Sequence, residues 1–181
     1  GFSFKGEEPL LMTMGDDSID TAYNVVNTFK EQEIERIIRE YGEEQYSRRI
    51  ARAIVESRKI ESIKTSGELA RIIADAVPKF FGRKIDPATK TFQGIRIFIN
   101  EELQSIEKGL KGGLLVLKEG GRICAISFHS LEDRIVKNFF RDKDRLGEGE
   151  IINKKPIVPS EEEIKQNPRS RSAKLRVIKK L

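Results

Sequence analysis

The sequence predicts an α/β protein in which a small all-helical region is followed by part of a larger sheet. Three observations carry this reading. Apolar residues recur at spacings of three and four from Ser18 to about Val77, with no convincing strand among them. A short β-prone run, Arg122 to Phe128, then turns without a gap into a helical pattern, which is one α/β unit. That run is apolar on both faces and reads as a strand inside a sheet covered by helices, yet the chain supplies at most two or three strands. A fuller sheet would need on the order of 100 residues upstream.

Within the helical region, Ile34, Ile37, Ile38 and Tyr41 form one stripe, and Gly42 offers a stop. Tyr46, Ile50 and Ile54 continue on a second helix. Thr65 with Glu68 makes a capping-box signature ahead of Leu69, Ile72, Ile73 and Val77. Asp86-Pro87 reads as an N-cap followed by proline at the first helical position. The stripe Phe92, Ile95, Ile99, Leu103, Ile106 and Leu110 then predicts one long helix of about 36 Å. Gly120-Gly121 reads as a turn before the strand, and Ser130 with Asp133 as the cap of the helix carrying Leu131, Ile135, Val136, Phe139 and Phe140. Residues 141–172 are polar and predict an irregular surface segment, before a last strand at Leu175 to Ile178.

Composition narrows the classes of function. The chain has 181 residues, 35% charged and 38% hydrophobic, and its charges alternate in sign as on amphipathic helices. Lys plus Arg exceed Asp plus Glu by 34 to 29, which permits an anionic partner without demanding one. The single cysteine, Cys124, lies in an apolar run and reads as a small buried hydrophobe in a chain suited to a reducing cytoplasm. One His and one Cys exclude a structural zinc site built from those ligands, and no metal is expected. The longest aliphatic stretch, Leu114 to Leu117, is far short of the roughly 20 residues that span a bilayer. The opening at Gly1, without an initiator methionine, reads as the middle of a longer sequence.

The best-placed chemistry is at Ser127-Phe128-His129-Ser130, where a buried strand ends and a helix begins, the place where open α/β sheets bind ligands. His129 can orient a substrate or donate a hydrogen bond, or it is a structural hydrogen-bonder; Ser130 can help hold an anion, or it is a helix cap. Arg48, Arg49 and Arg52, with Arg58 and Lys59 beyond, make a basic helix face; Lys79, Arg83, Lys84, Lys90 and Arg96 follow on the next connection and helix. These either neutralise phosphates or form a solvated face paired with Glu43, Glu44 and Glu56. Arg169, Arg171, Lys174, Arg176, Lys179 and Lys180 have no acidic residue among them, which favours phosphate contact. No glycine-rich loop joins a strand to a helix, since Gly109, Gly112 and Gly113 follow a helix instead, and so no cofactor site is visible.

"GFSF" at Gly1, "YGEE" at Tyr41, "RRIARAIVE" at Arg48, "PATKTFQGIRIFINEEL" at Pro87, "GGRICAISFHSLEDRIVK" at Gly120 and "NPRSRSAKLR" at Asn167 together resemble the RsmH family, also called MraW. The match runs through nearly the whole chain in order. The resemblance implies an rRNA (cytosine-N4)-methyltransferase acting on 16S rRNA of the small ribosomal subunit with S-adenosylmethionine as donor. It implies a class I methyltransferase (Rossmann-like) sheet, present here in part, with an all-helical insertion domain. Residues 1–17 would lead out of the missing catalytic half, residues 18–86 would be the insertion, and residues 87–181 the C-terminal part of the methyltransferase domain. The cofactor loops would precede "GFSF", so this chain alone is expected to be inactive. On this reading His129 and Ser127 are the catalytic candidates, and Arg48, Arg49, Arg52, Lys90, Arg96, Arg169, Arg171, Lys174 and Arg176 the RNA-binding ones. Leu11, Thr13 and Gly15 depart from the family's usual Pro-Leu-Asp-Met-Arg-Met-Asp, and Asp86 stands where a histidine is common; Asp16 and Asp17 are candidates to replace a lost acid. The alternative is a non-enzymatic rRNA-binding module.

Overall fold

The computed structural model describes residues 6–15, 20–78 and 86–181. The expectations at Gly1 to Phe4, Asp16, Asp17, Ser18, Lys79, Arg83 and Lys84 lie outside these described residues. The chain forms two compact units, Gly1–Glu101 and Glu102–Leu181.

The first unit is helical: α1 (Ala22–Thr28), α2 (Glu31–Glu40), α3 (Ser47–Ile60), α4 (Ser66–Ala76) and α5 (Ala88–Ile99). Their starts follow local chemistry. Thr21 accepts a hydrogen bond from the Asn24 amide at the head of α1, and Thr65 and Glu68 close a reciprocal capping box on α4, as the sequence predicts. Asp86 Oδ1 accepts from Ala88 N at 2.8 Å, so Asp86-Pro87 starts α5, with Pro87 in the cap position rather than the first turn. The apolar stripes meet in one core: Ile34, Ile37, Ile38, Ile50, Ile54, Leu69, Ile73, Phe92, Ile95 and Ile99 are all buried. Each such side chain contributes about 1.5–3 kcal/mol relative to an exposed one.

Two features of this unit were not visible in the sequence. Residues 8–12 are built into it: Ser66 N donates to Glu8 O, Ala22 N to Leu11 O, and Leu10 and Met12 are buried in the helical core. Backbones also approach closely at two glycines. A Cβ on Gly94 would lie 2.9 Å from Gly42 N, and one on Gly42 would lie 2.4 Å from Lys90 O, so α5 packs directly against the end of α2.

The expected long helix is two helices. After α5 the chain breaks at Asn100 and Glu101, and α6 begins at Glu102 (Glu102–Val116). Asn100 donates through Nδ2 to Arg96 O and Met12 O and accepts from Met14 N, while Glu101 takes φ 47°, the left-handed region that ends helices. Residues 87–99, expected with the second part of the chain, therefore pack in the first unit.

The second unit holds α6, β1 (Arg122–Ser127), α7 (Ser130–Arg145), β2 (Gly149–Ile151), α8 (Glu161–Gln166), a 3-10 turn at Pro168–Ser172 and β3 (Lys174–Lys180). The expected last strand is present and longer than predicted. It lies in the middle of a three-stranded antiparallel sheet of order β1-β3-β2. Ile123 and Ala125 face Leu110, Val136, Phe140 and Ile178, the buried core of this unit. Arg122, Cys124 and Ile126 alternate to the other face and are exposed. One expectation is thereby corrected: Cys124 is exposed rather than buried, because no helix among the described residues packs on its side of β1, a face that the sequence reading already found this chain unable to cover. Residues 141–172 are also less irregular than predicted. The Ser160 hydroxyl caps α8, and the Asn153 side chain bonds Leu175 O and Val177 N of β3 as a strand neighbour would. No helix among the described residues is long and apolar enough to cross a membrane.

Candidate functional site

β1 delivers Ser127, Phe128 and His129 to the head of α7. The sequence predicts Ser130 as the cap; the structure places it one residue earlier. His129 is the N-cap: its Nδ1 accepts from Glu132 N at 3.3 Å, and Glu132 Oε2 accepts from Phe128 N at 2.7 Å and His129 N at 3.3 Å. The rule at work is the capping box, with histidine in the position usually held by Ser, Thr, Asp or Asn. His129 Nε2 lies 3.4 Å from Glu132 Oε1. A third group joins them from α6: one ligand atom each from Glu102, His129 and Glu132 lie within 4.8 Å of one another, all half-buried. Neither glutamate was singled out in the sequence. Glu132 stands at capping-box spacing from His129 and was legible there, whereas Glu102 is brought in by the tertiary fold alone.

Ser127, expected beside His129 in catalysis, is buried, and its hydroxyl donates to Lys174 O across the sheet at 3.5 Å. It faces the interior of the unit, and its hydrogen bond runs across the sheet rather than to the His129 cluster.

Asp133 is not the cap partner of Ser130. It is buried and accepts from Arg176 Nε at 2.7 Å and Nη2 at 3.2 Å, with Lys174 Nζ at 3.4 Å. The Arg176 hydrogen bonds, helped by the charges of Arg176 and Lys174, hold its carboxyl below the usual carboxylate value against the opposing effect of burial. Arg176 is thus withdrawn from the predicted phosphate-binding set, because its guanidinium is buried against α7, and Lys174 shares the same carboxylate. Lys180 is also engaged, donating to Leu114 O and Leu117 O at the end of α6, and Lys179 pairs with Glu150. Arg169 and Arg171 remain exposed, with no ion pair among the described residues.

On α3 the outcome is the reverse. Arg48, Arg49 and Arg52 are exposed and make no ion pair or hydrogen bond among the described residues. Of their proposed acidic partners, Glu44 is buried and accepts from Tyr46 N, and Glu56 pairs with Lys59, which lowers its carboxyl pKa with a smaller contribution from the charge of Arg52. Arg58 binds the carbonyls of Val26 and Phe29 and so is structural. Lys90 donates to Glu43 O from an exposed position, and Arg96 is half-buried with a bonded partner.

Among the described residues no glycine-rich turn joins a strand to a helix. The one strand-to-helix turn in the second unit's described residues carries Phe128 and His129 instead of glycine, and a Cβ on Gly109 or Gly112 would meet nothing within 4 Å, so no cradle closes around them.

Comparison with known proteins adds the family. All 181 residues match the model of the MraW methylase family. A protein of Persephonella marina named "Ribosomal RNA small subunit methyltransferase H" is 54% identical over 182 residues, covering 100% of this chain and 62% of the relative. Proteins of the same name from a Sulfurihydrogenibium species and from Anaplasma marginale are 52% and 50% identical, covering 100% and 98% of this chain and 62% and 61% of the relatives. The chain spans about three fifths of the length of the curated relatives it matches.

Proposed function

The chain belongs to the MraW methylase family, and from that premise we propose that it is the C-terminal part of an enzyme that methylates the exocyclic N4 of a cytidine in 16S ribosomal RNA. The observation that carries the reading is the full-length family match together with relatives named for ribosomal RNA methylation. S-adenosylmethionine would supply the methyl group, held by residues outside this chain. The helical unit would be an insertion in a Rossmann-like catalytic sheet, which would continue from the bare edge of β1.

Within this reading His129 orients the substrate, and Arg48, Arg49, Arg52, Arg169 and Arg171 contact phosphates. His129→Asn tests the first role, because asparagine is itself a good N-cap and keeps the head of α7 while removing the imidazole. In the intact protein that carries this chain, the variant should melt as the wild type does and methylate more slowly. Unchanged turnover removes His129 from the site.

The second reading, a non-enzymatic rRNA-binding module, is favoured by one observation: the described residues combine exposed, unpaired arginines with no cofactor cradle. Calorimetric titration of S-adenosylmethionine separates the two. No heat with this chain and one-to-one binding with the intact protein support the enzyme; no heat with either supports the module.

A further inference from the structure

The second unit has a cavity toward the end of α7 that is remote from His129. Its volume is about 470 Å³, within the range of roughly 300–1,000 Å³ that holds one small molecule. Lys111, Leu114 and Leu115 line it from α6, and Phe139 and Lys143 from α7; Glu148, Lys180 and Leu181 close the remaining sides. At about 1.5 Å per residue, the run of α7 from its cap at His129 to Phe139 separates this cavity from the strand end by roughly 15 Å. The polar groups of the lining are unequally committed. Glu148 accepts from Lys143 Nζ at 2.6 Å, and Lys143 also lies over the Phe139 ring, 5.8 Å from its centre. Leu114 O and Leu117 O accept from Lys180 Nζ at 2.9 Å and 2.8 Å, which neutralises the carbonyl end of α6, an end that would otherwise repel an anion. The Lys111 ammonium differs: it is exposed and makes no ion pair or hydrogen bond among the described residues.

We propose that this cavity binds a small carboxylic acid with an apolar body, its carboxylate on Lys111 and its hydrocarbon against Leu114, Leu115, Phe139 and Leu181. The acceptors just named are already bonded within the chain, whereas the uncommitted polar group is a cationic donor, so the ligand must bring negative charge. Among the lining side chains three ammonium groups stand with one carboxylate, which favours an anion and disfavours an amine. The apolar walls ask for hydrocarbon: Leu115 and Leu181 are 79% and 52% exposed along the cavity, and a ligand body there removes them from water. A space of this size takes one small body rather than the roughly 20–30 residues a side of a stable protein interface. The site is independent of the methyltransferase reading, since it shares no residue with the head of α7.

The test is calorimetric titration of the intact protein carrying this chain with octanoate, octanol and octylamine. Octanoate should bind one-to-one, about fivefold more tightly than octanol, with octylamine weaker still, and its affinity should fall as salt is raised. Lys111→Gln, which removes the charge, should bring octanoate to the affinity of octanol, and Lys111→Glu should weaken octanoate by about tenfold or more while leaving octanol unchanged. Leu115→Asp should weaken both, because it sets a charge on the apolar wall. All three variants should melt with the wild type, since Lys111 bonds nothing in the fold among the described residues and Leu115 is exposed. Octanol bound as tightly as octanoate overturns the proposal, as does an octanoate affinity that Lys111→Gln and Lys111→Glu leave unchanged. A protein that takes up none of the three at millimolar concentration overturns it as well.

Discussion

Arg176 of β3 grips Asp133 of α7 with two hydrogen bonds, 2.7 Å from Nε and 3.2 Å from Nη2, and both residues are buried. The pair ties the central strand to the first turn of the helix that His129 caps. Removing Arg176 leaves the buried Asp133 carboxylate with only Lys174 Nζ, at 3.4 Å, to balance its charge. Arg176→Met should therefore lower stability by about 3 kcal/mol, while Asp133→Leu with Arg176→Met should recover most of that loss. Urea unfolding of the two variants measures both. A double variant as unstable as the single one would mean that the ion pair, rather than burial of a lone charge, sets the cost.

The same pair gives a direction with pH. Asp133's folded-state pKa is depressed, so its contribution is fully present above the unfolded value of about 3.9 and is lost as pH falls through the lowered folded value. Between pH 5 and pH 2 the wild type should lose stability more steeply than Asp133→Asn. Parallel acid-unfolding curves would show that other carboxylates dominate.

Gly42 and Gly94 hold α2 and α5 at backbone contact. A methyl at Gly94 would meet Gly42 N at 2.9 Å and Ile37 O at 3.1 Å, atoms that cannot rotate away. Gly94→Ala should cost about 1–3 kcal/mol through overpacking. Gly42→Ala, facing Lys90 O at 2.4 Å, should cost more. Gly109→Ala meets open space on α6 and serves as the control, with an expected slight gain in stability. Thermal melts of the three variants rank them directly.

On α3, replacing Arg48, Arg49 and Arg52 together with alanine should leave the melting temperature near the wild-type value, since none of them bonds the fold. Affinity for ribosomal RNA should fall, and the slope of log affinity against log salt should flatten by roughly two units. An unchanged slope would place the RNA elsewhere. Arg58→Ala should instead destabilise, because its guanidinium holds the carbonyls of Val26 and Phe29.

Much of the fold was legible because its causes are local. Ile34, Ile37 and Ile38, or Leu69 and Ile73, declare a buried helix face within two turns, and Thr65 with Glu68 declares a helix start. The break between α5 and α6 was not legible. The stripe from Phe92 to Leu110 stays in phase across Asn100 and Glu101, with no glycine or proline to mark the stop, and the bonds from Asn100 to Met12 and Met14 come from a distant part of the chain. Cys124 misled for a related reason. An apolar run shows that a strand is β-prone, but it does not say which of its faces a helix covers.

The sequence by itself determined the helices of the first unit, the strand that leads into α7, the family, and His129 as the residue at the strand end. Only the tertiary structure decided which charges are used inside the protein and which face outward. Arg176 and Arg48 are equivalent as residues in a chain. One is buried against Asp133, 43 positions away, and the other makes no ion pair or hydrogen bond among the described residues. Periodicity and capping act over a few residues, whereas an ion pair or the approach of Glu102 to His129 exists only once the chain has closed on itself.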